Sequence, residues 1–268
     1  PLTSLTGARD KVRALRASAQ APMGPVSVRI QQGLYWLRSP FVLEPIDSGA
    51  PAAPVVYEAA HRARPVFSGG RLLGGWHREG PVWETVVPQV RSGAWYFRQM
   101  WVNGERRPRA RAPNTGYYRI AKLYPGPSSP NTPAVARDRF GFRPGDIEPW
   151  ARLGDVNIVL MHSWETSIHP LGAVDPVSNL AHLAAPLDEW WTPGYWEEAQ
   201  RYYVENAIEL LDQPGEWYLN RHSGMLTYWP LPGERIETAA VVAPELTELV
   251  RFAGDPDAGQ YVENVILR

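Results

Sequence analysis

The sequence contains no cysteine. Disulfides and thiolate metal sites are therefore excluded, while the compartment stays open, because a secreted protein can be stable without bridges. An excess of charge of one sign is also missing: 27 Lys and Arg stand against 28 Asp and Glu, a formal net charge of -1. That balance supplies no basic field for a phosphate backbone, so nucleic acid is not expected as a partner. No apolar run of about 18 residues occurs, so no membrane-spanning helix is expected, and the first residues lack the basic-then-apolar pattern of a signal peptide. Walker, H-E-x-x-H and G-x-G-x-x-G motifs are absent too, and no cofactor is expected. Two-residue hairpin signals are scarce, Asn103-Gly104 being the one good example.

What the chain does contain is short β-type segments. Val26–Ile30, Gly33–Leu37, Phe41–Leu43, Pro54–Tyr57 and Pro65–Phe67 follow one another, broken by turn residues at Gln31-Gln32, Ser39-Pro40, Asp47-Ser-Gly49 and Ser68-Gly-Gly70. Even spacing without hairpin signals favours a solenoid over a meander. Before them, Leu5, Ala8, Val12 and Leu15 carry a helical period with charged residues between, and Ser4 is placed to cap that helix. It reads either as a surface helix or as the cover of a solenoid end.

These residues carry a resemblance. Ala8-Arg-Asp10, Gly33-Leu-Tyr35, Asp47-Ser-Gly49, Pro54-Val-Val-Tyr57, Pro65–Gly70 and Gly75-Trp76, with Phe97–Gly104, Ala110–Asn114, Arg201–Asn206 and Pro214–Leu219 further on, together resemble right-handed parallel β-helix (pectin-lyase-like) carbohydrate-active enzymes. Glycoside hydrolase family 141 is the closest of these, and family 120 is an architectural relative. The resemblance implies a mainly β fold: residues 1–76 forming a capping helix and the first β-helix coils, 77–238 an inserted antiparallel β-sandwich-like domain, and 239–268 a return to the β-helix. It implies a carbohydrate partner, a secreted or periplasmic location, and catalytic acids on later coils, beyond Arg268. Pro1 in place of an initiator Met and the apolar close at Val265-Ile-Leu-Arg268 likewise lead us to expect an N-terminal piece, completed by the rest of the β-helix. A non-catalytic carbohydrate-binding or surface protein, or a polysaccharide lyase, remains open on the same scaffold.

After Trp76 the segments lengthen. Trp83–Val87, Trp95–Val102 and Tyr117–Ile120 read as aromatic strands, Asn157–Met161 as a buried strand, and Glu216–Asn220 with Met225–Trp229 as a hairpin. Pro125, Pro127, Pro130 and Pro133 mark a mobile loop over 124–133, and Asp188–Gln200 reads as an irregular one. Arg201–Leu211 has Tyr203, Ala207, Leu210 and Leu211 at helical spacing, and Thr238–Val242, Leu246–Phe252 and Tyr261–Leu267 read as short strands again.

Glycoside hydrolysis generally needs two carboxylic acids, one protonated and one ionised. No such pair is evident here. Glu205 and Glu209 would share the expected helix face, where a solvated role suffices, and Asp212 and Glu216 flank the Pro214-Gly215 turn, where capping suffices. For ligand contact the candidates are His162 and Trp164 at a strand end, Trp190, Trp191 and Trp196 in the aromatic loop, and Arg201 with Tyr203 after it. Flat aromatic faces cover the C–H side of a sugar ring, while Arg, His and Tyr bond its hydroxyls. The blander reading is that these groups pack the module internally. His162 and His169 lack a third ligand at a recognisable spacing, and no metal is expected.

Overall fold

The computed structural model describes residues 3–18, 24–128, 134–189, 192–194, 197 and 199–268. The chain opens with α1 (Leu5–Arg16), β1 (Val26–Ile30), β2 (Leu34–Trp36), β3 (Phe41–Leu43), β4 (Val55–Ala59), β5 (Val66–Ser68) and β6 (Gly70–Leu73). A middle stretch follows with β7 (His77–Glu79), β8 (Val82–Val86), α2 (Pro88–Arg91), β9 (Met100–Val102), β10 (Glu105–Arg107), β11 (Arg111–Ala112) and β12 (Tyr118–Arg119). It continues with β13 (Arg139–Gly141), β14 (Asn157–Met161), β15 (Thr166–Asp175), β16 (Leu180–Leu183), β17 (Arg201–Glu205), β18 (Trp217–Leu219) and β19 (Met225–Tyr228). Last come β20 (Val241–Pro244), β21 (Val250–Phe252) and β22 (Val265–Leu267). The protein is mainly β, and it divides into two compact units: 1–72 with 242–268, and 73–241.

The first unit is held by parallel pairing. β4 lies between β1 and β22, with Val55 opposite both Val26 and Val265, and β2 pairs with β5 and β3 with β21 in the same sense. Phe41, Leu43, Val55 and Tyr57 fill its core beside Val12 of α1. Burial of Ala8 and Val12 gives α1 one apolar stripe, and Ser4 Oγ caps it by accepting from the Gly7 amide at 3.0 Å. On the polar side Arg13 makes two bonds to Asp47, 2.7 and 2.6 Å, and a third to Glu44. Gly49 is fixed by crowding: a Cβ there would stand 2.6 Å from the Asn264 carbonyl oxygen and 2.7 Å from Pro54 Cα.

The second unit is antiparallel. One of its sheets runs β11-β17-β14-β15-β16-β13, with β12 also on β17, and another runs β18-β19-β8-β7. Phe140, Ile147, Ile158, Leu160, Leu171, Tyr202 and Val204 form the centre of the core behind the first sheet. The Asn103-Gly104 turn joins β9 to β10, and both residues have positive φ, 55° and 84°, as a tight hairpin requires. Pro125 bridges Val135 across the proline-rich segment, of which residues 129–133 lie outside the described residues.

Three expectations fail. Residues 201–211 are not a helix: β17 occupies 201–205, and only Ile208–Leu210 makes a 3-10 turn. The buried alternation of Tyr202 and Val204, flanked by β14, β11 and β12, supplies every ladder partner a strand needs, and Asn206 ends it at φ 66°. Residues 95–102 are not one strand either. Trp95 packs against Phe97 with tilted rings and Phe97 stacks on Trp217, and pairing begins only at Met100. Finally, strand structure near the C-terminal end starts later than expected, at Val241 and at Val250.

Candidate functional site

Strand alternation gives β17 two faces. Tyr202 and Val204 turn into the core, while Arg201, Tyr203 and Glu205 share the opposite row. Along that row guanidinium groups alternate with rings. Arg201 lies 5.6 Å from the Tyr117 centroid, Tyr117 stands 6.5 Å from Tyr203, and Arg111 covers Tyr203 at 3.8 Å. The Tyr203 face under Arg111 is therefore not open to a sugar ring. Burial, then the Glu205 charge, push the Tyr203 hydroxyl above the usual phenol range.

Arg109 continues the row. It is almost fully buried, with Nη1 3.0 Å from Glu205 and Nη2 donating to the Tyr96 hydroxyl at 2.7 Å. Its guanidinium also sits over Trp217 at 5.0 Å, and Arg221 covers the Tyr96 ring at 3.8 Å. In front of these residues lies a cleft of about 390 Å³, lined by Arg98, Arg106, Arg107, Arg109 and Arg111 together with Tyr203 and Glu205. The β9–β10 hairpin brings in Arg106 and Arg107, and the pairing of Arg111 with Glu205 between β11 and β17 closes the other side.

Glu234 holds Arg107 from behind, at 2.8 Å, and also accepts from the Tyr228 hydroxyl and the Leu231 amide. Burial works to raise the Glu234 carboxyl, but the bonds from Arg107 and Tyr228 outweigh it and keep the group below the usual carboxylate range.

The residues anticipated for ligand contact are dispersed. His162 is buried: its Nε2 lies 2.7 Å from the Ser167 hydroxyl, and the Gln200 amide donates to Nδ1 at 2.7 Å. Burial lowers its pKa, so the ring is neutral near pH 7. Trp164 is 68% exposed in the turn between β14 and β15. Arg201 and Tyr203 do come together, on the row above. Trp190, Trp191 and Trp196 lie outside the described residues. Among the described residues no cluster of three or more His, Asp or Glu is placed to hold a metal ion, and no helix is long and apolar enough to cross a membrane.

The carboxylates are separately occupied. Glu209 accepts from the Ala151 amide at 3.2 Å, far in role from Glu205, so the two share no helix face. Glu216 is fully buried behind the turn, accepting from the Asp212 amide and the Gln213 side chain, and burial pushes its carboxyl up. Sequence reading missed the cleft itself. Its one available signal was the density of arginine, five between positions 98 and 111.

Comparison with known proteins adds two findings. A profile of the GH141 insertion domain matches residues 187–231, the stretch that contains β17, β18 and β19. A solved structure described as "Glycoside hydrolase" is 25% identical, with a TM-score of 0.82, over 100% of this chain and 46% of that one. This chain thus spans less than half the length of that structure. A second, titled "The complex structure of XylC with xylose", is 11% identical over 100% of this chain and 31% of its own, with a TM-score of 0.35, and carries no argument. No curated protein matches.

Proposed function

We propose that this chain is the N-terminal portion of a glycoside hydrolase acting on plant or microbial glycans. In this reading residues 1–76 and 239–268 are the capping helix and first coils of a right-handed parallel β-helix. Residues 77–238 are a sandwich-like insertion that borders the substrate cleft. The carrying observation is the match of the entire chain to part of a longer glycoside hydrolase. Parallel pairing in the first unit and the GH141 insertion-domain match in the second agree with it. A secreted or periplasmic location follows from the same reading.

The catalytic carboxylates then lie on coils outside these 268 residues. Acid and base must stand roughly 5 to 9.5 Å apart, one protonated and one ionised, on either side of the scissile bond. Here Glu205 is tied to a buried arginine and Glu209 and Glu216 to backbone amides, so each has a structural partner. The insertion contributes a wall, and in this reading its glycan contacts come from Trp164, Trp190, Trp191, Trp196 and Arg201, whereas His162, anticipated with them, is buried and Tyr203 lies under Arg111.

The test compares the 268-residue chain with the longer gene product on aryl glycosides and xylan-type polymers. Turnover is expected only from the longer protein. Turnover by the 268-residue chain that disappears in Glu205→Gln or Glu209→Gln overturns the placement of the acids. A longer protein that binds glycans without cleaving them supports a carbohydrate-binding role instead.

A further inference from the structure

We propose that the arginine-lined cleft of the second unit binds a carboxylate-bearing saccharide, with the uronate carboxylate seated between guanidinium groups. The saccharide half of this ligand rests on the hydrolase reading above; the anionic half comes from the cleft.

Charge is the first argument. The five arginines face one lining carboxylate, Glu205, and counting Glu234 behind Arg107 still leaves three positive charges without a carboxylate partner among the described residues. Like charges gathered in one cleft repel, so the cluster is unfavourable unless an anion relieves it. The chain as a whole is at -1, so the cleft is a local concentration.

Geometry is the second. Arg111 is held by the Pro113 and Gly116 carbonyls, 3.0 and 2.8 Å, and by the Tyr203 ring. Arg109 is pinned by Glu205 and Tyr96, yet its buried Nε has no hydrogen-bond partner. Arg98 and Arg106 are exposed, and no ion pair ties them to a carboxylate among the described residues. Fixed forks beside free ones suit a planar anion, which guanidinium binds through two parallel N–H bonds. If the cluster served only to hold the 98–111 segment, Arg98 and Arg106 would have partners. A volume of about 390 Å³ suits one or two sugar rings and not a folded polyanion.

The experiment titrates the 268-residue chain calorimetrically with tetragalacturonate, neutral xylotetraose and a uronate-free sulfated carrageenan tetrasaccharide. Tetragalacturonate is expected to bind, more weakly as salt rises, with affinity reduced at least about tenfold in R98A/R106A and in R111K, which keeps the charge and loses the fork. The unfolding midpoint of R98A/R106A should equal or exceed the parent's, because neither side chain bonds to the fold among the described residues and their repulsion is relieved. No tetragalacturonate binding up to about 10 mM, equal binding of xylotetraose, preference for the carrageenan, or undiminished binding by R98A/R106A each overturns the proposal. The hydrolase reading has a separate readout. A longer protein that cleaves glycans beside a cleft that stays empty sinks this inference alone, and an inert longer protein whose cleft binds tetragalacturonate sinks the hydrolase reading alone.

Discussion

Arg109 and Glu205 form an ion pair at 3.0 Å with side-chain exposures of only 2% and 11%. Coulomb attraction in such a place roughly offsets the cost of stripping water from both ions, whereas removing one partner strands the other. Arg109→Met should therefore lower the unfolding free energy by about 3 to 5 kcal/mol, and Arg109→Met/Glu205→Leu should recover part of the loss. Urea unfolding of the two variants measures both. A double variant as unstable as the single one would show that packing around Tyr96 and Trp217 matters more than the charge.

Acid should loosen the first unit through Asp47. Burial acts to raise this carboxyl, but hydrogen bonds from Arg13 and the Glu44 amide prevail and hold it below its ordinary 3.8. A depressed folded pKa means stability that is present above the unfolded value and lost as pH falls through the folded one. Asp47→Asn should cost about 1.5 to 3 kcal/mol at pH 7, and the difference from the parent should shrink below about pH 4. Thermal melts at a series of pH values decide it; a gap that stays constant to pH 2 contradicts the assignment.

Glu216 has the opposite sign. Burial raises its carboxyl above the ordinary 4.5, so its contribution is complete below that value and is lost as pH rises through the folded pKa. Glu216→Gln should flatten the stability profile on the alkaline side of pH 4.5, leaving the variant relatively better at pH 8 than at pH 4. Parallel melts of parent and variant report the crossover, and parallel curves would remove the argument.

The β9–β10 turn offers a backbone test. Gly104 sits at φ 84°, which an added Cβ disfavours, although nothing crowds the space around it. Gly104→Ala should cost about 1 to 2 kcal/mol through strain alone. Gly145→Ala, at φ 87° and equally uncrowded, should cost a similar amount; a Gly104 penalty several times larger would mean the hairpin is coupled to more than its own turn.

Local signals proved readable where one residue decides the geometry. Ser4 and the apolar stripe set α1, Asn103-Gly104 set its hairpin, and Trp217–Leu219 with Met225–Tyr228 formed the hairpin expected around Arg221–Gly224. Residues 201–211 misled because Tyr203, Ala207, Leu210 and Leu211 fit a helical period while Tyr202 and Val204 fit a strand period, and only the neighbouring strands break the tie. The cleft was unreadable for a related reason. Its arginines come from an irregular segment, a hairpin and β11, and Glu205 reaches it from β17, a distance no sequence window spans.

The parallel trio β1-β4-β22 sets an order on folding. Glu58 on β4 meets Arg268 across 210 residues of chain, and closing an unstructured loop of that length costs about 5 kcal/mol in entropy. During synthesis β1 and β4 can pair early, but β4 keeps an open edge until β22 is made. The intervening 73–241 unit has its own core and can collapse in the meantime, and β6 and β20, where the chain departs and returns, are neighbours in one sheet. Its collapse therefore shortens the effective loop before the last strand arrives. Variants that slow the middle unit, such as those at Tyr202 or Trp217, should leave the β4 edge exposed for longer and raise aggregation during refolding, even though they lie in a different unit.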